Sequence, residues 1–167
     1  SRMLAIPNHP RLAHMISAAP PGQESLACLV GALLDERDVF NGRADDLPTD
    51  LGLRIEVLTG RAHDERTDRR SVARIMDRAR DLARRGDLDF DVDDIDPENT
   101  GAVLLLAYPD RLAMRRQPGQ FQLRSGSAAW CAPRDTLAGE RFVVAADLDG
   151  DRKNARIRMA AAVSDDV

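Results

Sequence analysis

Apolar residues in the first two-thirds of the chain recur at helical spacing, while those in the last third alternate over short runs. The pattern predicts helices followed by strands. Leu12, Met15, Ile16 and Ala19 keep the three-four spacing of one buried helix face. Pro10 fits the first helical position, with Asn8 or His9 as cap. Pro20-Pro21-Gly22 ends that helix. The next begins near Gln23 and carries Leu26, Leu29, Val30, Leu33 and Leu34, which predicts it at the centre of the helical core. Asn41–Asp50 is a polar loop that contains Pro48 and offers Thr49 or Asp50 as cap for a short third helix, Leu51–Leu58. The longest expected helix runs from about Glu65 to Arg85, with Val72, Ile75, Met76, Ala79, Leu82 and Ala83 on one side and Gly86 as its stop. Asp96-Pro97 reads as cap plus first-turn proline of a last helix through Val103, Leu104 and Ala107, stopped by Pro109.

From Gly119 onward the runs shorten. Phe121–Arg124, Ala128–Ala132, Arg141–Leu148 and Asn154–Val163 predict four strands, as a small barrel or an open sheet. Asp149-Gly150 between the last two is the clearest hairpin signal. So small a β-unit has too little core to be comfortable alone, so it is expected to pack against the helices. The fold class is therefore α+β, with a helical domain over 1–108 and a small antiparallel β domain over 109–167.

Composition removes several function classes. The longest apolar run, Ala102–Tyr108, falls far short of the ~20 residues a bilayer span needs. No secretory signal is legible, so the expectation is a cytoplasmic protein without a membrane partner. Cys28 and Cys131 are the only cysteines, which excludes a disulfide framework and a cysteine-rich zinc site. Lys153 is the only lysine, in Asp151-Arg152-Lys153-Asn154. A Walker A loop needs its lysine after a glycine-rich turn and before Ser or Thr, so this chain has no P-loop. G-x-S-x-G, H-E-x-x-H and G-x-G-x-x-G are missing as well. His9, His14 and His63 lack metal-ligand spacing. Asp147–Asp151 is acidic, but its glycine comes fourth rather than sixth, so it reads as a hairpin rather than a calcium loop. No catalytic residue, metal ligand or cofactor is assigned. Asp110 with Arg111 is the nearest acid–base candidate, and reads better as a cap and ion pair beside Pro109.

Three stretches carry a resemblance. Ile6–Met15 (IPNHPRLAHM), Ala107–Arg116 (AYPDRLAMRR) and Arg141–Gly150 (RFVVAADLDG) resemble, in the same order, the region that follows the motor domains in bacterial DEAH-type helicases of the HrpB family. The resemblance covers nearly the whole chain. It implies a ratchet-type helical domain, an acidic linker and an OB-like domain whose completeness at Val167 stays open. Together these would line a channel for single-stranded nucleic acid, RNA ahead of DNA. It further implies RecA-like motor domains upstream in the parent protein, which bind ATP and Mg and hydrolyse the nucleotide. His63-Asp64-Glu65-Arg66 is not a DEAH box, and a start at Ser1-Arg2 is what a piece of a longer protein would show. The alternative is a protein-interaction module that docks the motors or another protein without touching nucleic acid.

Charge supports strand contact in part. On the long helix, Arg70, Arg74, Arg78 and Arg85 project within about 80° of one another, opposite the apolar face. Asp77 and Asp81 share that sector, at spacings that pair them with Arg74 and Arg85. A second group is Arg111, Arg115 and Arg116 with Arg124, and a third is Arg152, Lys153, Arg156 and Arg158. Loops of an OB-like barrel are a plausible strand-binding edge, and each phosphate they neutralise releases counterions. The candidate nucleic-acid-binding residues are Arg70, Arg74, Arg78, Arg115, Arg116, Arg124, Lys153 and Arg156. Against them stand a net charge of -4 and only six aromatic residues for base stacking. Seven acids and no bases crowd Asp87–Glu98, so the remainder of the chain carries a small positive excess.

Overall fold

A computed structural model describes residues 9–165. Five helices, α1 (Pro10–Ala18), α2 (Glu24–Asp35), α3 (Leu51–Leu58), α4 (Arg69–Arg85) and α5 (Thr100–Ala107), precede five strands. These are β1 (Leu112–Gln117), β2 (Gln120–Leu123), β3 (Ala128–Trp130), β4 (Phe142–Asp149) and β5 (Asn154–Ala162). The fold is α+β, and the sheet closes into a barrel in the order β1-β2-β3-β5-β4.

The helical layer is built round α2. Every residue from Ser25 to Leu33 is buried, because α1, α4 and α5 cover it from different sides. The cap of α3 is Asp50, whose side chain accepts from the Gly52 amide at 2.9 Å. The fourth helix begins at Arg69 rather than near Glu65. A short antiparallel bridge explains the difference. The Asn41 amide donates to the Arg66 carbonyl and the Asp68 amide to that of Val39, both at 2.8 Å, which holds 66–68 extended. Asp68 then caps α4 by accepting from the Arg70 amide.

The acidic stretch after α4 is an ordered strap. Ile95 is buried in the helical core and Leu88 and Phe90 pack against it, while the acidic residues are exposed. Ser25 fastens it to α2, accepting from the Asp91 amide at 2.9 Å and donating to the Asp89 carbonyl.

The barrel has one strand more than the four predicted. In β1 only Ala113 is buried, so its sequence carries no alternation. Pairing with β2 on one side and β4 on the other makes it a strand. All neighbours are antiparallel except β3 and β5, which run parallel and close the barrel. Ala113, Phe121, Leu123, Ala129, Val143, Ile157 and Ala160 fill the interior. Leu137 and Ala138, from the crossover between β3 and β4, pack into the same core.

The barrel and the helices share apolar surface. Val144 and Ala146 of β4, with Ala161 and Val163, join the helical core, while Val143 points into the barrel. Burial on both faces is why β4 reads as a continuous apolar run. Between the two layers lies α5, with α1 and α2 on one side and β4 and β5 on the other. Gly101 permits the approach. A Cβ at that position would sit 1.9 Å from the Ala162 carbonyl oxygen of β5.

A second tie runs through the polar loop before α3. Arg54 is only 1% exposed and donates to both oxygens of Asp38 at 2.9 Å and to the carbonyls of Pro48 and Asp50. Its guanidinium also lies 5.0 Å from the centre of the Phe40 ring. The loop so held reaches the barrel. The Ala160 amide of β5 donates to the Thr49 carbonyl, and the Thr49 hydroxyl reaches both oxygens of Asp135 at 2.8 Å.

Two stability outcomes follow. Gly101→Ala forces backbone against backbone and is expected to cost about 3 kcal/mol or more in urea unfolding. Arg54→Leu strands the Asp38 carboxylate and is expected to cost about 3 kcal/mol, part of which the double change with Asp38→Leu restores.

Candidate nucleic-acid interface

Alternation along the strands sorts their residues between the inside and outside of the barrel. Across the sheet Phe121, Ala129 and Ala155 are register partners and point inward. The partners in the flanking rows therefore point outward: Gln120, Trp130 and Arg156 in one, Gln122, Ala128 and Asn154 in the next. Above them opens a cleft of about 550 Å³ whose lining includes Arg116, Gln120, Gln122, Trp130 and Asn154. The Arg156 guanidinium lies 5.0 Å from the centre of the half-buried Trp130 ring. The cleft thus offers an indole, three neutral amides and basic groups at its rim, a set that can stack on bases and contact phosphates.

The candidate residues divide between two places. Arg116 lines the cleft, Lys153 stands exposed beside Asn154, and Arg156 stacks on Trp130. Arg124 is exposed at a neighbouring shallow cleft of about 320 Å³ with Met114 and Phe142. Arg115 is occupied in closing the barrel, its guanidinium donating to the Gly139 carbonyl and its amide to that of Arg141. The stripe of Arg70, Arg74 and Arg78 is on α4, which packs against α2 in the helical layer. Within it, Arg78 is 15% exposed and pairs with Asp35 of α2 at 3.0 Å and Asp81 at 3.1 Å, so it fastens two helices. Arg74 donates to the Ser71 hydroxyl, and Arg70 is exposed. Asp81 pairs with Arg85 at 3.1 Å, whereas Asp77 pairs with Arg80 rather than Arg74.

Two other arginines hold the joint between the layers. The guanidinium groups of Arg11 and Arg111 lie 5.2 and 4.8 Å from the centre of the Tyr108 ring. Arg11 binds Asp110 at 2.6 Å and the Ala107 carbonyl at 3.0 Å, while Arg111 donates to the Ala146 carbonyl of β4. The partner of Asp110 is therefore Arg11, ninety-nine residues away, not its neighbour Arg111. This bond holds the carboxyl below its ordinary range.

Trp130, Gln120, Gln122 and Asn154 were not among the sequence candidates. Their signal lay in the alternation, since Gln120 and Gln122 flank inward Phe121 and Trp130 follows inward Ala129. The sequence could not reveal Asp45. Its carboxylate contacts Arg158 at 2.6 Å and Arg156 at 3.1 Å, and these bonds hold it below the usual carboxylate range. Among the described residues no group of His, Cys, Asp and Glu is placed to hold a metal ion, and no helix is long and apolar enough to cross a membrane.

No protein-family model and no curated protein matches the sequence. Solved structures do. The crystal structure of the E. coli DExH-box NTPase HrpB matches 99% of this chain, with a TM-score of 0.74 and 26% identity. That of the Escherichia coli DEAH/RHA helicase HrpB matches 98%, with a TM-score of 0.71 and 24% identity. The chain has the fold of a segment of HrpB. It spans 18% and 19% of those two HrpB chains. The stretches that resembled HrpB in sequence meet at the joint in this fold: Arg11 from the first binds Asp110 of the second, and Arg111 of the second binds Ala146 of the third.

Cys131 lines the cleft from a buried position, and its thiol is pushed up to about 11, first by burial and then by the charge of Asp135. At neutral pH the folded protein is expected to resist iodoacetamide at Cys131 and to react after addition of urea, as mass spectrometry of the tryptic peptides would read.

Proposed function

We propose that this chain is an accessory region of an HrpB-type, ATP-dependent helicase and that it guides single-stranded nucleic acid. In this reading the barrel is OB-like: a five-stranded Greek-key barrel whose β2–β3 face takes the strand. The helical layer is ratchet-type and forms a further wall of the channel. ATP and Mg would be used by motor domains of the parent protein, and this chain would supply shape and charge. The observation that carries the reading is Trp130, outward on the β2–β3 face, stacked with Arg156 and flanked by Arg116 and by the amides of Gln120, Gln122 and Asn154.

The chemistry follows from those groups. An unpaired base can stack on the indole, which is tolerant of sequence because every base has a π-face. Amides on either side offer a donor and an acceptor to exposed base edges. Guanidinium groups at the rim meet phosphates, so binding should weaken steeply as salt rises.

One observation favours a second reading, docking of the motors or another protein. Met114 is 40% exposed beside Phe142 and Leu123, an apolar spot on the barrel that adjoins the Trp130 cleft at Gln122. It would take a non-polar side chain of a neighbouring surface.

Fluorescence anisotropy with labelled oligouridylate and oligothymidylate at low salt tests the strand reading. Trp130→Ala is expected to weaken binding roughly five-fold or more, since stacking on one aromatic ring is worth about 1–3 kcal/mol per base. Equal affinity for Trp130→Ala and the unaltered protein would remove the cleft from the binding surface.

A further inference from the structure

Asp45 reaches across from the helical layer to the barrel. It lies in the single helical turn Ala44–Asp46, in a stretch exposed from Asn41 onward. Its Oδ1 accepts from Arg158 at 2.6 Å and from Arg156 at 3.1 Å, so two guanidinium groups from β5 converge on one oxygen. Arg156 also donates to the Asp45 carbonyl at 3.4 Å. That is the arrangement a pair of arginines offers a phosphate oxygen. Arg156 is the same residue that stacks on Trp130. The guanidinium beside the candidate base platform is therefore already holding an anion supplied by the chain itself.

We propose that Asp45 is a built-in competitor of nucleic-acid phosphates, an anionic latch on Arg156 and Arg158 that an incoming strand displaces. The proposal rests on the strand-binding reading of the cleft and adds its regulation. Three features make the contact releasable. The Asp45 side chain is 58% exposed, and exposed ion pairs hold weakly. Arg158 keeps a second partner, Asp149 at 3.0 Å, when Asp45 leaves, whereas Arg156 has no other carboxylate among the described residues and is set free. The firm anchors of the loop lie on either side of the turn, at Asn41 before it and at Thr49 and the Arg54 contacts to Pro48 and Asp50 after it. Apart from the latch, the turn itself holds, among the described residues, only a 3.4 Å contact from Arg66 to the Asp46 carbonyl, so its release leaves the joint intact.

The test compares Asp45→Asn with Asp147→Asn, using labelled oligouridylate and oligothymidylate at low salt. Asp147 is exposed, lines the same cleft as Arg158 and makes no ion pair among the described residues, so it gives the same charge change without touching the latch. Asp45→Asn is expected to bind roughly two- to five-fold tighter, the span a single exposed ion pair supports, and Asp147→Asn to gain less. In the unaltered protein, hydrogen exchange of the Asp46 and Leu47 amides, which donate to the Arg43 and Ala44 carbonyls within the turn, should quicken on saturation with the strand. Unchanged or weaker binding by Asp45→Asn, or an equal gain in both variants, overturns the latch. Where the unaltered protein binds and Asp45→Asn does not differ, the latch alone fails. Where none of the three proteins binds either strand, the strand-binding reading fails with it.

Discussion

A single arginine without access to water organises the middle of this molecule. Arg54 sits on a helix of eight residues, yet it gathers the Asp38 carboxylate, two backbone carbonyls and an aromatic face. A buried guanidinium is tolerable only when its donors are met, and here Asp38 accepts two of its hydrogen bonds and the Pro48 and Asp50 carbonyls of the polar loop accept two more. The loop thereby acquires one conformation. Thr49 is then aimed at Asp135 and β5, and Asp45 is carried over β5 to Arg156 and Arg158. The charge pattern above the cleft is in this sense a consequence of a salt bridge buried elsewhere.

The helix–barrel junction works by a different principle. There the contact is apolar and close, with α5 laid on β5 through Gly101 and with β4 buried on both faces. Polar groups complete its rim, where Tyr108 is held between Arg11 and Arg111. A barrel this small gains much of its buried surface by leaning on the helices. The two layers also hold each other in register, since the same strand supplies Val143 to the barrel and Val144 to the helical core.

Arginine serves two purposes in this chain, and its surroundings separate them. Arg54, Arg78 and Arg111 are built into the fold, each bonded to groups distant in sequence. Arg116, Lys153 and Arg156 stand round a surface that has an indole and free amides. The negative total charge says little about this surface, because the seven acids of Asp87–Glu98 lie on the strap fastened to α2. A strand would meet the local field of the barrel face, within a Debye length of about 10 Å, rather than the average of the chain.

The helices were legible because their order is local. Capping residues, prolines and three-four spacing lie within a few residues of one another, and α1, α2 and α3 stand within a residue or two of where the pattern puts them. Three of the four expected strands and the Asp149-Gly150 hairpin were legible for the same reason, while β3 stops two residues earlier than expected. The strand β1 was not, since five of its six residues are not buried and only its two neighbours define it. Nor was the start of α4, which a bridge to Val39 and Asn41 decides. For the site, composition supplied a surplus of arginines without ranking them. Closure of the barrel chose among them, by turning Trp130 and Arg156 to one face and spending Arg115 on the Gly139 carbonyl. Periodicity records which way a side chain points within its own element, but which carboxylate meets which guanidinium across a hundred residues depends on distances that exist only after the chain has folded.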